Sequence, residues 1–312
     1  MTEDRVAVIG TGVIGSSWAA YFLASGLDVR ASDPAPGAEG RLRAAVVDAW
    51  PALESLGLAA GASQERLTFV ADPAEAVHNA RFVQESGPEA IELKSELFEI
   101  LDEVTPPQSI IASSSSGLLP SQIQSMCRQH PERVVVGHPF NPAHLIPLVE
   151  VVGGDKSSDT CIERAMSFYE EIGKRPIRVA TELKGHIANR LQAALWREAY
   201  SLVERGAATV ADIDTAISYG PGLRWALLGP LLNQHLSGGA GGLRHVLSHL
   251  GPPTQVIMDD LGAPRLSESL AEKLVAGVDE ELSGLDLTAL TAGRDALLLE
   301  LLVLKAGCGA LP

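Results

Sequence analysis

Two short apolar runs each carry one residue able to move or hold a proton. His138 closes the first, in Gly137-His138-Pro139-Phe140-Asn141-Pro142, and Glu150 sits in the second, Leu148-Val149-Glu150. Oxidation of an alcohol by hydride loss needs a base for the hydroxyl proton and a group that fixes that base. Two strand positions can bring these side chains together, with the carboxylate orienting the imidazole and stabilising its protonated form. A histidine at a strand end also serves as a core or turn residue, so these positions alone leave both readings open. A glycine loop points to the hydride acceptor. Gly10-Thr11-Gly12-Val13-Ile14-Gly15 follows one apolar run and opens a helical pattern. There glycines permit a tight turn and close approach to a pyrophosphate, which the free N–H groups and dipole of the helix N-terminus attract. Asp33 lies 18 residues past Gly15. A carboxylate there accepts hydrogen bonds from adenosine ribose hydroxyls and repels a 2′-phosphate, which selects NAD over NADP.

The elements that must carry these residues are legible from hydropathy. Short β-branched runs are expected as strands at 5–9, 27–32, 67–70, 82–85, 109–113, 133–137, 148–152 and 176–179, with helices between most of them. That alternation predicts an α/β Rossmann-type doubly wound sheet. Residues 41–58 read as a helix, interrupted near Pro51. From about Thr181 the texture changes. Residues 186–204 form one long amphipathic pattern, Thr209 and Asp212 make a capping-box-like start, and no strand pattern follows. We therefore expect an NAD-binding domain over 1–183 and an all-α domain over 184–312, the latter assigned to substrate and dimerisation by the resemblance given below.

Composition excludes several classes. The chain has 312 residues, 46% of them hydrophobic, enough for two cored domains. Lys plus Arg number 24 against 39 Asp plus Glu, for a net charge of −15, which argues against nucleic-acid partners and anionic membrane surfaces. No apolar stretch has the length of a membrane span, and Met1-Thr2-Glu3-Asp4-Arg5 lacks the basic start of a signal peptide. Cys127, Cys161 and Cys308 fit neither a metal clip nor a disulfide framework, so a cytoplasmic protein is expected. His245 and His249 lie four residues apart without the acid of a zinc motif, and no metal is expected.

The glycine loop, Ser113–Leu118, His138–Pro142, Leu148–Glu150 and Gly185-His186-Ile187-Ala188-Asn189-Arg190 together resemble the 3-hydroxyacyl-CoA dehydrogenase family. The resemblance runs over nearly the whole chain. It implies that His138 is the base, Glu150 its carboxylate, and Ser116 and Asn189 the groups that hold the substrate oxygen. Asn141 shares the histidine motif, and Glu89 and Lys94 resemble cofactor contacts near the nicotinamide. The chain departs from the family in having four serines before Gly117 and in having His186 where a Phe is usual. The departure leaves open which serine meets the substrate. A homodimer through the helical domain is implied; the leucine-rich 297–304 run is compatible with it and suits an intrachain core equally.

Gly222-Leu223-Arg224-Trp225, the 194–199 segment and Gly238-Gly239 with Arg244-His245 resemble the carnitine-oxidising branch of the family, and more loosely the gulonate-oxidising branch with its lens-crystallin relative. These act on small polar 3-hydroxy acids. An independent physical argument agrees. Residues 38–67, where relatives that use CoA carry a basic insert, have three arginines against four carboxylates. Such a surface gives little help to a polyphosphate tail. Arg224 is suited to a bidentate grip on a substrate carboxylate. Trp225 or Trp196 can cover a trimethylammonium group, though tryptophans more often serve as core bulk. An acyl-CoA substrate and a non-catalytic, crystallin-like NAD-binding protein stand as alternatives.

Overall fold

The computed structural model describes residues 5–311. Strands β1 (Arg5–Ile9), β2 (Asp28–Ser32), β3 (Leu67–Phe69), β4 (Phe82–Glu85), β5 (Ile110–Ser113), β6 (Val134–Pro139), β7 (Leu148–Gly153) and β8 (Arg175–Val179) form one sheet in the order β3-β2-β1-β4-β5-β6-β7-β8. From β3 to β6 all pairings are parallel, β7 runs antiparallel to β6, and β8 is parallel to β7. The order reverses between β1 and β4, so a crevice opens beyond their carboxyl ends, where dinucleotides bind in such sheets.

Alternation along the strands divides the core into two layers, because successive side chains face opposite sides. Val6 and Val8 join one layer with α1 (Val13–Ala24), α2 (Ala38–Leu56) and, later in the chain, α6 (Asp159–Glu171), built round Trp18, Phe22, Leu42 and Tyr169. Ala7 and Ile9 face the other layer, with α3 (Pro73–Val77), α4 (Ile91–Val104) and α5 (Pro120–Ile123), built round Val83, Phe98, Leu101 and Ile123.

The second part is helical: α7 (Ala188–Glu204), α8 (Val210–Ser218), α9 (Pro221–Leu227), α10 (Pro230–Ser237), α11 (Gly242–Asp260), α12 (Glu268–Glu281) and α13 (Leu287–Gly307). Thr209 accepts a hydrogen bond from the Asp212 N–H, and the Asp212 carboxylate accepts in turn from the Thr209 N–H and hydroxyl, the reciprocal cap expected from these residues. By its contacts the chain divides into Met1–Arg190 and Leu191–Pro312. No helix among the described residues is long and apolar enough to cross a membrane.

Two expectations need correction. α2 is not interrupted at Pro51, which lies on the exposed side of the helix, where a carbonyl left unpaired by the ring can meet water. α7 begins at Ala188 rather than 186, because Gly185 and His186 both have positive φ, 76° and 49°, which no α-helical residue adopts.

Candidate active site

Asp33, Glu85, Ser113 and His138 stand at or next to the carboxyl end of a strand, while Glu150 lies inside β7 and Lys94 on α4. Gly10, the first residue after β1, has φ 86°, and a Cβ there would fall 2.7 Å from the Gly87 nitrogen. A Cβ on Gly15 would fall 1.8 Å from the Gly10 carbonyl oxygen, so only glycine lets α1 start this close to β1. Gly12 differs. It caps α1 without a side-chain bond, and a Cβ on it would meet nothing within 4 Å. The first turn, Val13-Ile14-Gly15, thus presents helix N–H groups toward open space, an anion cradle. Asp33 closes the loop from β2: its Oδ2 accepts from the Thr11 N–H at 2.7 Å and hydroxyl at 3.1 Å, and its Oδ1 from the Ala35 N–H at 2.8 Å. Partial burial acts to raise this carboxyl, but the Thr11 and Ala35 hydrogen bonds outweigh it and hold the group below the usual carboxylate value. A carboxylate at this place and an uncapped helix start fit the ribose and pyrophosphate of NAD.

At the far side of the crevice, β6 and β7 pair with His138 opposite Glu150. His138 Nδ1 lies 2.8 Å from Glu150 Oε2, and the carboxylate is fully buried. Its Oε1 accepts from the Ile187 and Ala188 N–H groups at 2.8 and 2.9 Å. The positive φ angles of Gly185 and His186 are what turn these two amides together. Burial acts to raise the Glu150 carboxyl, but the His138 bond and the two amides outweigh it, so its value lies below the ordinary one. An ionised Glu150 accepts the Nδ1 proton, which leaves Nε2 with a bare lone pair: the geometry of a general base.

The serine segment is sorted by its bonds. Ser113 donates to Glu85, Ser114 accepts from Gln84 and shares a bond with Ser86, and Ser115 donates to Glu89 at 2.6 Å. Glu89 also accepts from the Ser116 and Gly117 N–H groups, so one carboxylate clamps the turn. Burial acts to raise Glu89, and the Ser115 and Gly117 bonds with the Lys94 charge outweigh it and lower it. The Ser116 hydroxyl takes no part in this clamp and is exposed. Asn189 is half-buried on the first turn of α7, and Asn141 is exposed beyond β6.

Lys94 is not the solvated helix residue its position suggests. Its Nζ lies 2.6 and 2.8 Å from the two Glu85 oxygens, and both side chains are 1% exposed. Glu85 Oε1 also accepts from the Gly87 N–H at 2.7 Å. Removing one partner of such a buried pair costs roughly 3–5 kcal/mol. Glu85 was missed because it ends a strand pattern; a carboxylate closing an apolar run of a doubly buried sheet was the available signal. His186 is also fully buried. Its Nε2 lies 3.2 Å from the Ser115 carbonyl oxygen and therefore carries the proton, its ring stands 5.2 Å from that of His138, and burial lowers its basicity. The remaining pair, Arg224 and Trp225, lies on α9 in the second unit, and both are exposed.

The model of the 3-hydroxyacyl-CoA dehydrogenase NAD-binding domain matches residues 5–183, and that of the family's C-terminal domain matches 185–278. The chain belongs to this family. It is an NAD-dependent oxidoreductase. The L-carnitine dehydrogenase of Streptomyces griseus is 52% identical over 93% of this chain and 87% of its own length. That of Bacillus cereus is 48% identical over 96% of this chain and 92% of its own. Among solved structures, 5-formyl-3-hydroxy-2-methylpyridine 4-carboxylic acid 5-dehydrogenase, described as an NAD+-dependent dismutase, superposes with a TM-score of 0.84 at 29% identity, over 97% of this chain and 99% of its own. The NAD-binding-domain match spans all eight strands of the sheet.

Proposed function

We propose that this chain oxidises the 3-hydroxyl of L-carnitine to the ketone. Relatives named for that activity, about half identical over more than nine-tenths of the chain, support the substrate. The observation that carries the chemistry is the His138–Glu150 contact, which leaves His138 Nε2 bare. NAD, when bound by the Gly10–Gly15 loop and Asp33, supplies the hydride acceptor. His138 takes the hydroxyl proton as the C3–H bond breaks, and Glu150 stabilises the imidazolium. Ser116 and Asn189 hold the oxygen as it becomes a carbonyl, and Asn141 supports the histidine turn. Ser116 is favoured among the four serines because its neighbours' hydroxyls are spent on Glu85, Gln84 and Glu89. Glu89 and Lys94 act on the nicotinamide end by fixing the serine turn and the Ser86–Gly87 backbone.

In this reading residues 1–183 hold NAD, and 184–312 serve the substrate and a homodimer. Arg224 pairs with the carboxylate and Trp225 covers the trimethylammonium. Exposed Leu297 and Leu304 on α13 support a second copy of the chain as cover. A cytoplasmic location agrees with three free cysteines, two of them buried. The test is turnover of L-carnitine, L-gulonate and acetoacetyl-CoA with NAD, followed by NADH absorbance. Carnitine is expected to be preferred by at least about tenfold in kcat/KM, a margin that one charged contact supplies; preference for the thioester would overturn the substrate assignment.

A further inference from the structure

The geometry points to Lys174 as a positioning residue that, with Ser17 and His144, locks the His138 hairpin onto the cofactor-binding helix α1. The inference rests on the reading of His138 as the base. The chain between β6 and β7 joins His138 to Glu150, and nothing in the strands themselves fixes where its connection, residues 140–147, sits relative to α1. Two anchors do. Ser17, in the second turn of α1, accepts from the His144 N–H at 2.8 Å, and its Oγ lies 2.7 Å from His144 Nδ1. Lys174, in the turn between α6 and β8, is 3% exposed, and its Nζ donates to the Ala143 carbonyl and, at 3.0 Å, to that of Ile146.

The third side of the ammonium faces α1. Nζ stands 3.6 Å from the centroid of the Tyr21 ring and 5.3 Å from that of Trp18. Tyr21 is itself tied to the same turn, its hydroxyl donating to the Ile172 carbonyl at 2.7 Å. Two carbonyls and one ring face match the three N–H groups of an ammonium. Lys174 thus joins the helix whose N-terminus forms the anion cradle, the turn before β8 and the loop bearing the histidine motif. A hydride-transfer site needs its base and cofactor in one fixed geometry, and displacement by about 1 Å can lower the rate some hundredfold.

Tyr21 faces the ammonium from α1, His144 comes from the loop, and Glu170 and Arg175 line the cavity beside it. Burial pushes Lys174 down to about 7, and Tyr21 up to about 12. The lowered value means that the locked arrangement does not depend on the charge, because a neutral amine keeps two N–H groups for the two carbonyls.

Lys174→Met keeps the chain length and removes the donors. Its kcat is expected to fall at least about tenfold near neutral pH, with NADH Kd within about twofold of wild type. Wild-type kcat would overturn the inference. Lys174→Arg, which keeps N–H donors for the two carbonyls, should restore part of that kcat, and Ser17→Ala decides the matter if Lys174→Met fails to fold. Amide hydrogen exchange over 140–147 needs no substrate, and so separates this inference from the carnitine reading. Exchange should quicken in Lys174→Met and Ser17→Ala; unchanged exchange in both would sink the inference even if carnitine is turned over.

Discussion

Leu23 and Leu297 are the same residue type on helices of one chain, yet Leu23 is fully buried in α1 and Leu297 is 68% exposed in α13. The contrast extends across both units. Met1–Arg190 holds nearly all the buried residues, whereas among the described residues of Leu191–Pro312 only Ser201, Gly242, Val246 and Leu270 are buried. In the first unit, buried bonds hold the groups assigned to chemistry: Glu150 carries one imidazole and two amides, Glu85 an ammonium, an amide and a hydroxyl. In the second, Arg224 and Trp225 are exposed on a seven-residue helix. In the proposed function chemistry falls to the first unit, and substrate recognition to the second, whose apolar side chains are largely exposed.

Four substitutions break or sharpen this contrast. His138→Gln, in the pre-organised unit, should lower kcat/KM by roughly 10²–10⁴, with NADH affinity unchanged, because it removes general-base catalysis alone. A loss confined to KM would contradict its role. Glu150→Gln should lower kcat some 10–100-fold. It should also change acid unfolding. The folded carboxyl lies below its ordinary value of 4.5, so its stabilisation is complete above about that pH. That stabilisation is lost as pH falls through the lower folded value. Unfolding followed by circular dichroism from neutral to acid pH should therefore be less pH-dependent in the variant.

In the open unit the effects should fall on binding. Arg224→Met should raise KM for carnitine by roughly tenfold, at the low end for a charged hydrogen bond, while kcat changes little. A fall in kcat alone would place Arg224 outside substrate binding. Trp225→Leu should weaken carnitine some 2- to 10-fold, within the range of one cation–π contact, and leave a 3-hydroxy acid without the ammonium unaffected. Equal losses for both substrates would make Trp225 packing instead.

What could be read from the chain were features whose partners lie close along it or whose pattern repeats. Gly10–Gly15 sits within one strand–turn–helix, Asp33 one strand later, and His138 and Glu150 on strands joined by a short connection. The bonds that escaped reading span long loops: Ser115 with Glu89, Ser113 with Glu85, Glu150 with the amides of Ile187 and Ala188, Ser17 with His144. Lys94 is named by the resemblance, but its burial has no signal along the chain. Its helical position predicts a solvated side chain, and only the buried carboxylate a turn and a strand end away draws it inward. α7 starts two residues later than its amphipathic pattern because Gly185 and His186 take left-handed φ, a conformation that the hydropathy of the segment does not register.

The sequence by itself determined the doubly wound sheet, the helical second half and the glycine loop between strand and helix, since periodicity, glycine placement and strand alternation are local and additive. It offered His138 and Glu150 as a possible pair that the strand register then brought together. Tertiary structure alone decided which serine keeps a free hydroxyl, that Lys94 is buried, and that Lys174 meets both α1 and the histidine loop. Such choices depend on which distant groups compete for the same few buried hydrogen bonds, and that competition exists only once the chain has closed on itself.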